Sequence, residues 1–123
     1  MADVARVVRT SFWTSKMAMD MFSAEDTYFM LYLMTNPHTT QLGIYPINKK
    51  YMCIEFKHSI ESINSLLDRF ENKYKIIKYS SKTNEIAIKN YLENSIIKGG
   101  KPVEDCLIKE ISKVQDKSLL EFV

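Results

Sequence analysis

The sequence predicts a mostly helical α+β fold: a winged helix, in which a helix-turn-helix stands beside a β-hairpin wing, with extra helical segments at both ends. Three observations carry this. The apolar residues Ile60, Ile63, Leu66, Leu67, Phe70 and Tyr74 close onto one face at 3.6 residues per turn. Two β-prone runs, residues 75–79 and 85–89, flank the turn formers Ser80, Ser81, Lys82, Thr83 and Asn84, which reads as a hairpin. The order over residues 23–90 is helix, short strand, helix, helix, hairpin.

Each element has a local cause. Ser23 supplies a capping hydroxyl ahead of Glu25 and Asp26, acids that suit the positive end of a helix. The run at residues 28–34 is apolar on every face, the pattern of a central helix covered all round. It must stop at Thr35 and Asn36, because Pro37 pushes its predecessor out of the helical region. Residues 39–46 are β-rich, but Pro46 cannot donate to a ladder, so a short edge strand is expected. Asn48 caps a second helix over residues 49–56, and Ser59 a third over about residues 60–74. The three residues Lys57, His58 and Ser59 between them make the pair a helix-turn-helix candidate.

Residues 90–98 are mixed, with one helical turn expected around Tyr91 and Leu92. Gly99, Gly100, Lys101 and Pro102 form a break. A final helix follows, with Val103, Cys106, Leu107, Ile108, Ile111 and Val114 on one broad face. The apolar end, residues 119–123, implies a docked terminal helix or a chain that continues. The expected division is an N-terminal arm over residues 1–22, a winged helix domain over 23–98 and a C-terminal helical extension over 99–123.

Composition narrows the function. The chain of 123 residues is 46% hydrophobic and 26% charged, values of an ordinary single globular domain. Three glycines cannot write either glycine-rich phosphate loop. His38, His58, Cys53 and Cys106 are too scattered for a structural zinc set. The two cysteines read as small apolar fillers of helices, a usage that suits a reducing cytosol. No nucleophile sits in a motif such as G-x-S-x-G. Glu25 with Asp26, and Glu104 with Asp105, fall in first turns where the helix dipole explains them. The expectation is no enzyme, no cofactor, no metal and no small-molecule substrate. The seven-residue apolar run at 28–34 is far below the ~20 residues a bilayer needs. The charged N-terminus has no leader pattern, so neither membrane insertion nor export is expected.

Charge is segregated. Over residues 73–101, Lys73, Lys75, Lys78, Lys82, Lys89, Lys98 and Lys101 face only Glu85 and Glu93, seven against two, a local net of +5. Lysines interleaved with Ser80, Ser81, Thr83 and Asn84 make a phosphate grip; equally, they are the solvated side of a ribbon whose edge they protect. The third helix, opposite its apolar face, carries Glu61, Ser65, Asp68 and Asn72, with Ser62 and Arg69 on the flank. Two carboxylates there repel phosphate, and Arg69 and Asn72 are its main donors for base or backbone contacts. Phe12 and Trp13 stand in an otherwise polar arm with Arg6 and Arg9, and with Met17 they read as interface or core anchors. Six of the seven methionines precede residue 35, which fits an adaptable partner surface as well as packing.

The run Thr35-Asn36-Pro37-His38-Thr39-Thr40-Gln41-Leu42-Gly43-Ile44-Tyr45, preceded by Tyr28-Phe29-Met30-Leu31-Tyr32-Leu33, closely resembles the N-terminal winged helix region of phage and prophage replisome organisers. These are relatives of the DnaD replication initiation proteins of Gram-positive bacteria. Phe12-Trp13, the stretch from Leu66 through Phe70 to Tyr74, and Gly99-Gly100-Lys101-Pro102-Val103 match the same pattern. The resemblance implies a role in assembling a replication initiation complex in the host cytoplasm. It implies self-association, remodelling or marking of origin DNA and a helicase loader or similar replication protein as partner. Such proteins carry a second helical domain, thought to hold much of the DNA binding. Two classes remain open: DNA contact through Arg69, Asn72, Lys73, Lys75, Lys78, Lys82 and Lys89, or a scaffold using Phe12, Trp13 and Met17 without DNA affinity. A winged helix transcriptional regulator is the runner-up.

Overall fold

Side-chain caps set where the chain turns helical. In a computed structural model, which describes residues 4–91 and 100–123, Ser23 and Asp26 form a reciprocal capping box at the start of α2 (Ala24–Thr35). The arm before it holds a 3-10 turn (Thr10–Thr14) and α1 (Lys16–Asp20). Asn48 accepts from the Tyr51 amide to begin α3 (Lys49–Phe56), and Ser59 accepts from Ser62 to begin α4 (Ile60–Asp68). The strands are β1 (Ile44–Pro46), β2 (Ile77–Ser80) and β3 (Glu85–Ile88); α5 (Lys101–Lys113) and α6 (Leu119–Phe122) close the chain. The expected turn around Leu92, and the first glycine of the break, lie outside the described residues.

The fold is α+β and mostly helical, with a three-stranded antiparallel sheet in the order β1-β3-β2. Register places Ile44 opposite Ala87, and Ala87 opposite Lys78; the next row is Tyr45, Ile86 and Tyr79. Side chains alternate across a sheet, so Tyr45, Ile77, Ile86 and Ile88 fall on the face that joins Phe29, Leu33, Met52, Phe56, Ile63, Leu66 and Phe70 in the main core. On the opposite face, Ile44 and Ala87 pack with Leu42, Val114 and Leu119 in a second cluster. The C-terminal segment therefore covers the back of the sheet. Gly43 makes the approach to β1: its φ is +87°, and a Cβ there would stand 2.6 Å from that of Tyr91, so both conformation and space call for glycine.

Three expectations need correction. The helix over residues 60–74 is not one α-helix: Arg69–Lys73 is a π-helical turn, with the Tyr74 amide donating to the Arg69 carbonyl at 3.0 Å. The inserted residue leaves Arg69 and Tyr74 both reaching Asp26, a tertiary demand that periodicity does not express. The apolar run at 28–34 is not covered all round. Phe29 and Leu33 are fully buried, whereas Tyr28 is 47% exposed. The final helix does not use its whole apolar face either: Ile108 and Ile111 remain exposed, and Val114, buried behind the sheet, lies just past the helix end.

Candidate functional site

The outward side of α4 is acidic to neutral. Glu61, Asn64, Ser65 and Asp68 are exposed along it, and the Asn72 amide nitrogen donates to Asp68 Oδ1 at 2.7 Å. Arg69 is not a free donor. Its Nε and a terminal nitrogen donate to Asp26 Oδ1 at 3.0 and 2.5 Å, with Glu25 at 3.5 Å. Asp26 is buried and also accepts from the Tyr74 hydroxyl at 2.6 Å and the Ser23 amide at 3.1 Å. Burial opposes its ionisation, but the Tyr74 hydroxyl and the Arg69 guanidinium outweigh that and hold the carboxyl below its ordinary value. The same contact raises Arg69. Removing Arg69 would leave a buried carboxylate without its counter-ion, a structural role that its sequence position did not show.

The hairpin and its lead-in keep their lysines in water. Lys73, Lys75, Lys78 and Lys82 are all exposed; Lys73 lies 5.6 Å over the Tyr74 ring, and Lys75 has a left-handed φ of 58°. Of the interleaved polar residues, Ser81 and Asn84 are exposed, whereas Ser80 and Thr83 are engaged by the protein. Ser80 is buried, Thr83 donates to Glu85 Oε1 at 2.8 Å, and Asn84 Oδ1 lies 3.2 Å from the Tyr79 hydroxyl. On the back of the sheet Lys78 faces Asp116, whose carboxyl is held low first by the Ser118 and Ser80 hydroxyls and then by that lysine.

One lysine missed by sequence reasoning joins this surface. Tyr79 donates to the Ile47 carbonyl at 3.0 Å and takes Lys49 Nζ at 5.7 Å over its ring, which brings Lys49 of the first turn of α3 toward the hairpin. A pair of lysines directly after a capping asparagine was the available signal.

Lys89 belongs elsewhere, on the wall of a cavity of about 340 Å³ between the N-terminal arm and the core, partly open to solvent. Phe12, Met17, Phe22, Met30, Met34 and Tyr91 supply much of its lining. Arg6 fastens the arm by donating to the Thr39 hydroxyl and carbonyl at 2.9 and 2.7 Å. Met17 and Phe12 are half-buried, whereas Trp13 is 59% exposed and meets Phe12 edge-on, ring centroids 5.4 Å apart. Of the three expected interface anchors, one therefore stands in solvent and two line the cavity.

The histidines are structural ties. His38 Nε2 lies 2.9 Å from Glu55 Oε2, whose other oxygen accepts from the Tyr32 hydroxyl at 2.6 Å. His58 Nε2 lies 3.1 Å from Glu25. Both contacts link the region of α2 to that of α3. Among the described residues no group of three or more histidine, cysteine or acidic side chains is placed to hold a metal ion, and no helix is long and apolar enough to cross a membrane. Compared with family models, curated proteins and solved structures, the chain shows no match.

Proposed function

We propose that the chain is the winged helix domain of a DNA replication initiation protein of the phage and prophage replisome-organiser type. It works in the host cytoplasm, chiefly in self-association and in docking a helicase loader or another replication protein, and its DNA contacts are weak and phosphate-directed. One observation supports this most: the α3–α4 pair is followed by an antiparallel hairpin whose strand β3 also pairs with β1, and the hairpin and its lead-in present Lys73, Lys75, Lys78 and Lys82 to solvent. In this reading the hairpin is the wing. Clustered exposed lysines attract a polyanion without reading its sequence.

A fluorescence anisotropy titration of a labelled generic duplex at two salt concentrations tests it. Binding is expected to weaken with salt, and changing Lys75, Lys78 and Lys82 together to Ala is expected to flatten the log–log slope by about 0.9 per lost phosphate contact. An unchanged slope removes the hairpin from DNA contact. The acidic side of α4 and the engagement of Arg69 by Asp26 favour a second reading, a scaffold without DNA affinity; absence of binding at low salt would select it. A transcriptional regulator is disfavoured by the same acidic helix, which offers few donors for base edges.

A further inference from the structure

We infer that the cavity beneath the N-terminal arm receives Trp13 from a second copy of the chain, with reciprocal insertion across a two-fold axis. This rests on the self-association part of the proposed function and specifies its contact. An apolar cavity of about 150 Å³ accepts a benzene ring; the space here is about 340 Å³, room for the two fused rings of an indole. Its methionine-rich wall, with Met17, Met30 and Met34, adapts to an incoming aromatic. Lys89 on the wall adds a cation, and tryptophan is the strongest cation–π partner among side chains.

The location supports a copy of the same chain as occupant. Donor and receptor share one turn: Phe12 lines the cavity, and its neighbour Trp13 packs against it edge-on while facing solvent. A two-fold axis beside that turn lets each copy give its indole and receive the other's, the self-complementary pattern of an isologous interface. Exposed apolar surface concentrates on the same arm, with Val4 73%, Val7 42%, Met19 68% and Met21 44% exposed in addition to Trp13. Together these five side chains offer on the order of 500 Å² per copy, the larger part of the roughly 800 Å² per partner in a standard interface.

Trp13 is the single tryptophan of the chain, so its emission reports this contact directly. Light scattering and tryptophan fluorescence with acrylamide quenching are measured together across a concentration series of the full chain, with Trp13→Ala and Val8→Phe alongside. Val8 lies on the cavity wall, so its enlargement fills the receptor while leaving the indole intact. The expected result is a mass that doubles with concentration, a parallel blue shift and loss of quenching, and half that mass for both variants with unchanged circular dichroism. An assembly in which Trp13 stays open to quencher, or a Trp13→Ala variant of unchanged mass, overturns the insertion and leaves self-association standing. A chain that stays monomeric at every concentration overturns both.

Discussion

The two ends of the chain look alike as sequence, segments with apolar residues added to a central domain, yet they meet the fold in opposite ways. The C-terminal segment is integrated. Val114 and Leu119 are buried against Ile44 and Ala87, and the buried Glu85 carboxylate accepts the Gln115 and Asp116 amides at 3.0 and 2.8 Å. Glu110 likewise accepts the Gln41 and Leu42 amides at 3.2 and 3.0 Å. The N-terminal arm is fastened at Arg6 and half-buries Phe12 and Met17, but it leaves a cavity beneath it and Trp13 in water. One end covers the back of the sheet; the other leaves a cavity and an exposed indole.

Substitutions can break or sharpen that contrast. The largest effect is expected at Leu119, fully buried behind the sheet, where Leu119→Ala should cost about 2–5 kcal/mol in urea denaturation. A loss within ordinary surface values would mean that the C-terminal segment is merely laid against the domain. Glu85→Gln replaces a charged acceptor of two amides and the Thr83 hydroxyl with a group that presents an amino face to donors. A cost of about 1–3 kcal/mol is expected, together with faster hydrogen exchange at the Gln115 and Asp116 amides.

On the N-terminal side, Asp26 joins the start of α2 to Arg69 and Tyr74, and its carboxyl lies below the ordinary value. A depressed folded-state pKa gives stability that is complete above the unfolded value, near ~3.9, and is lost as pH falls through the folded one. Stability measured from neutral pH downward should therefore decline below about pH 4, by at most ~1.4 kcal/mol per pH unit from this group. Asp26→Asn should remove that share of the slope; an unaltered slope would assign it to other carboxylates. The smallest stability effect is expected for Trp13→Ala, within about 0.5 kcal/mol by thermal denaturation at a concentration where the chain is monomeric. A larger loss would make Trp13 part of the core and erase the contrast between the ends.

The legible part of the fold follows from where its causes lie. Ser23, Asn48 and Ser59 each cap the expected helix because a cap acts within three residues of itself. Pro37 ends α2, and Pro46 confines β1 to an edge, through restrictions on their own backbone and that of their neighbours. The hairpin runs were readable from composition, although β2 begins two residues later than expected. What escaped was set at a distance. Glu85 counted only toward the local charge, but amides thirty residues on enclose it. Arg69 looked like a donor for DNA, and a carboxylate forty-three residues earlier takes it. The candidate surface divided in the same way: exposed lysines at 73, 75, 78 and 82 were readable from charge spacing, whereas the approach of Lys49, the removal of Lys89 to the cavity and the cavity itself were not.

The sequence by itself determined the start of each central helix, the class and order of the elements and the segregation of charge, because these arise from interactions within one or two turns of chain. Tertiary structure alone decided the π-helical turn at Arg69–Lys73, the C-terminal cover on the back of the sheet and the void under the arm. Each depends on which distant groups meet. A buried carboxylate takes whichever donors the fold brings to it, and apolar segments fill whatever space the core has left.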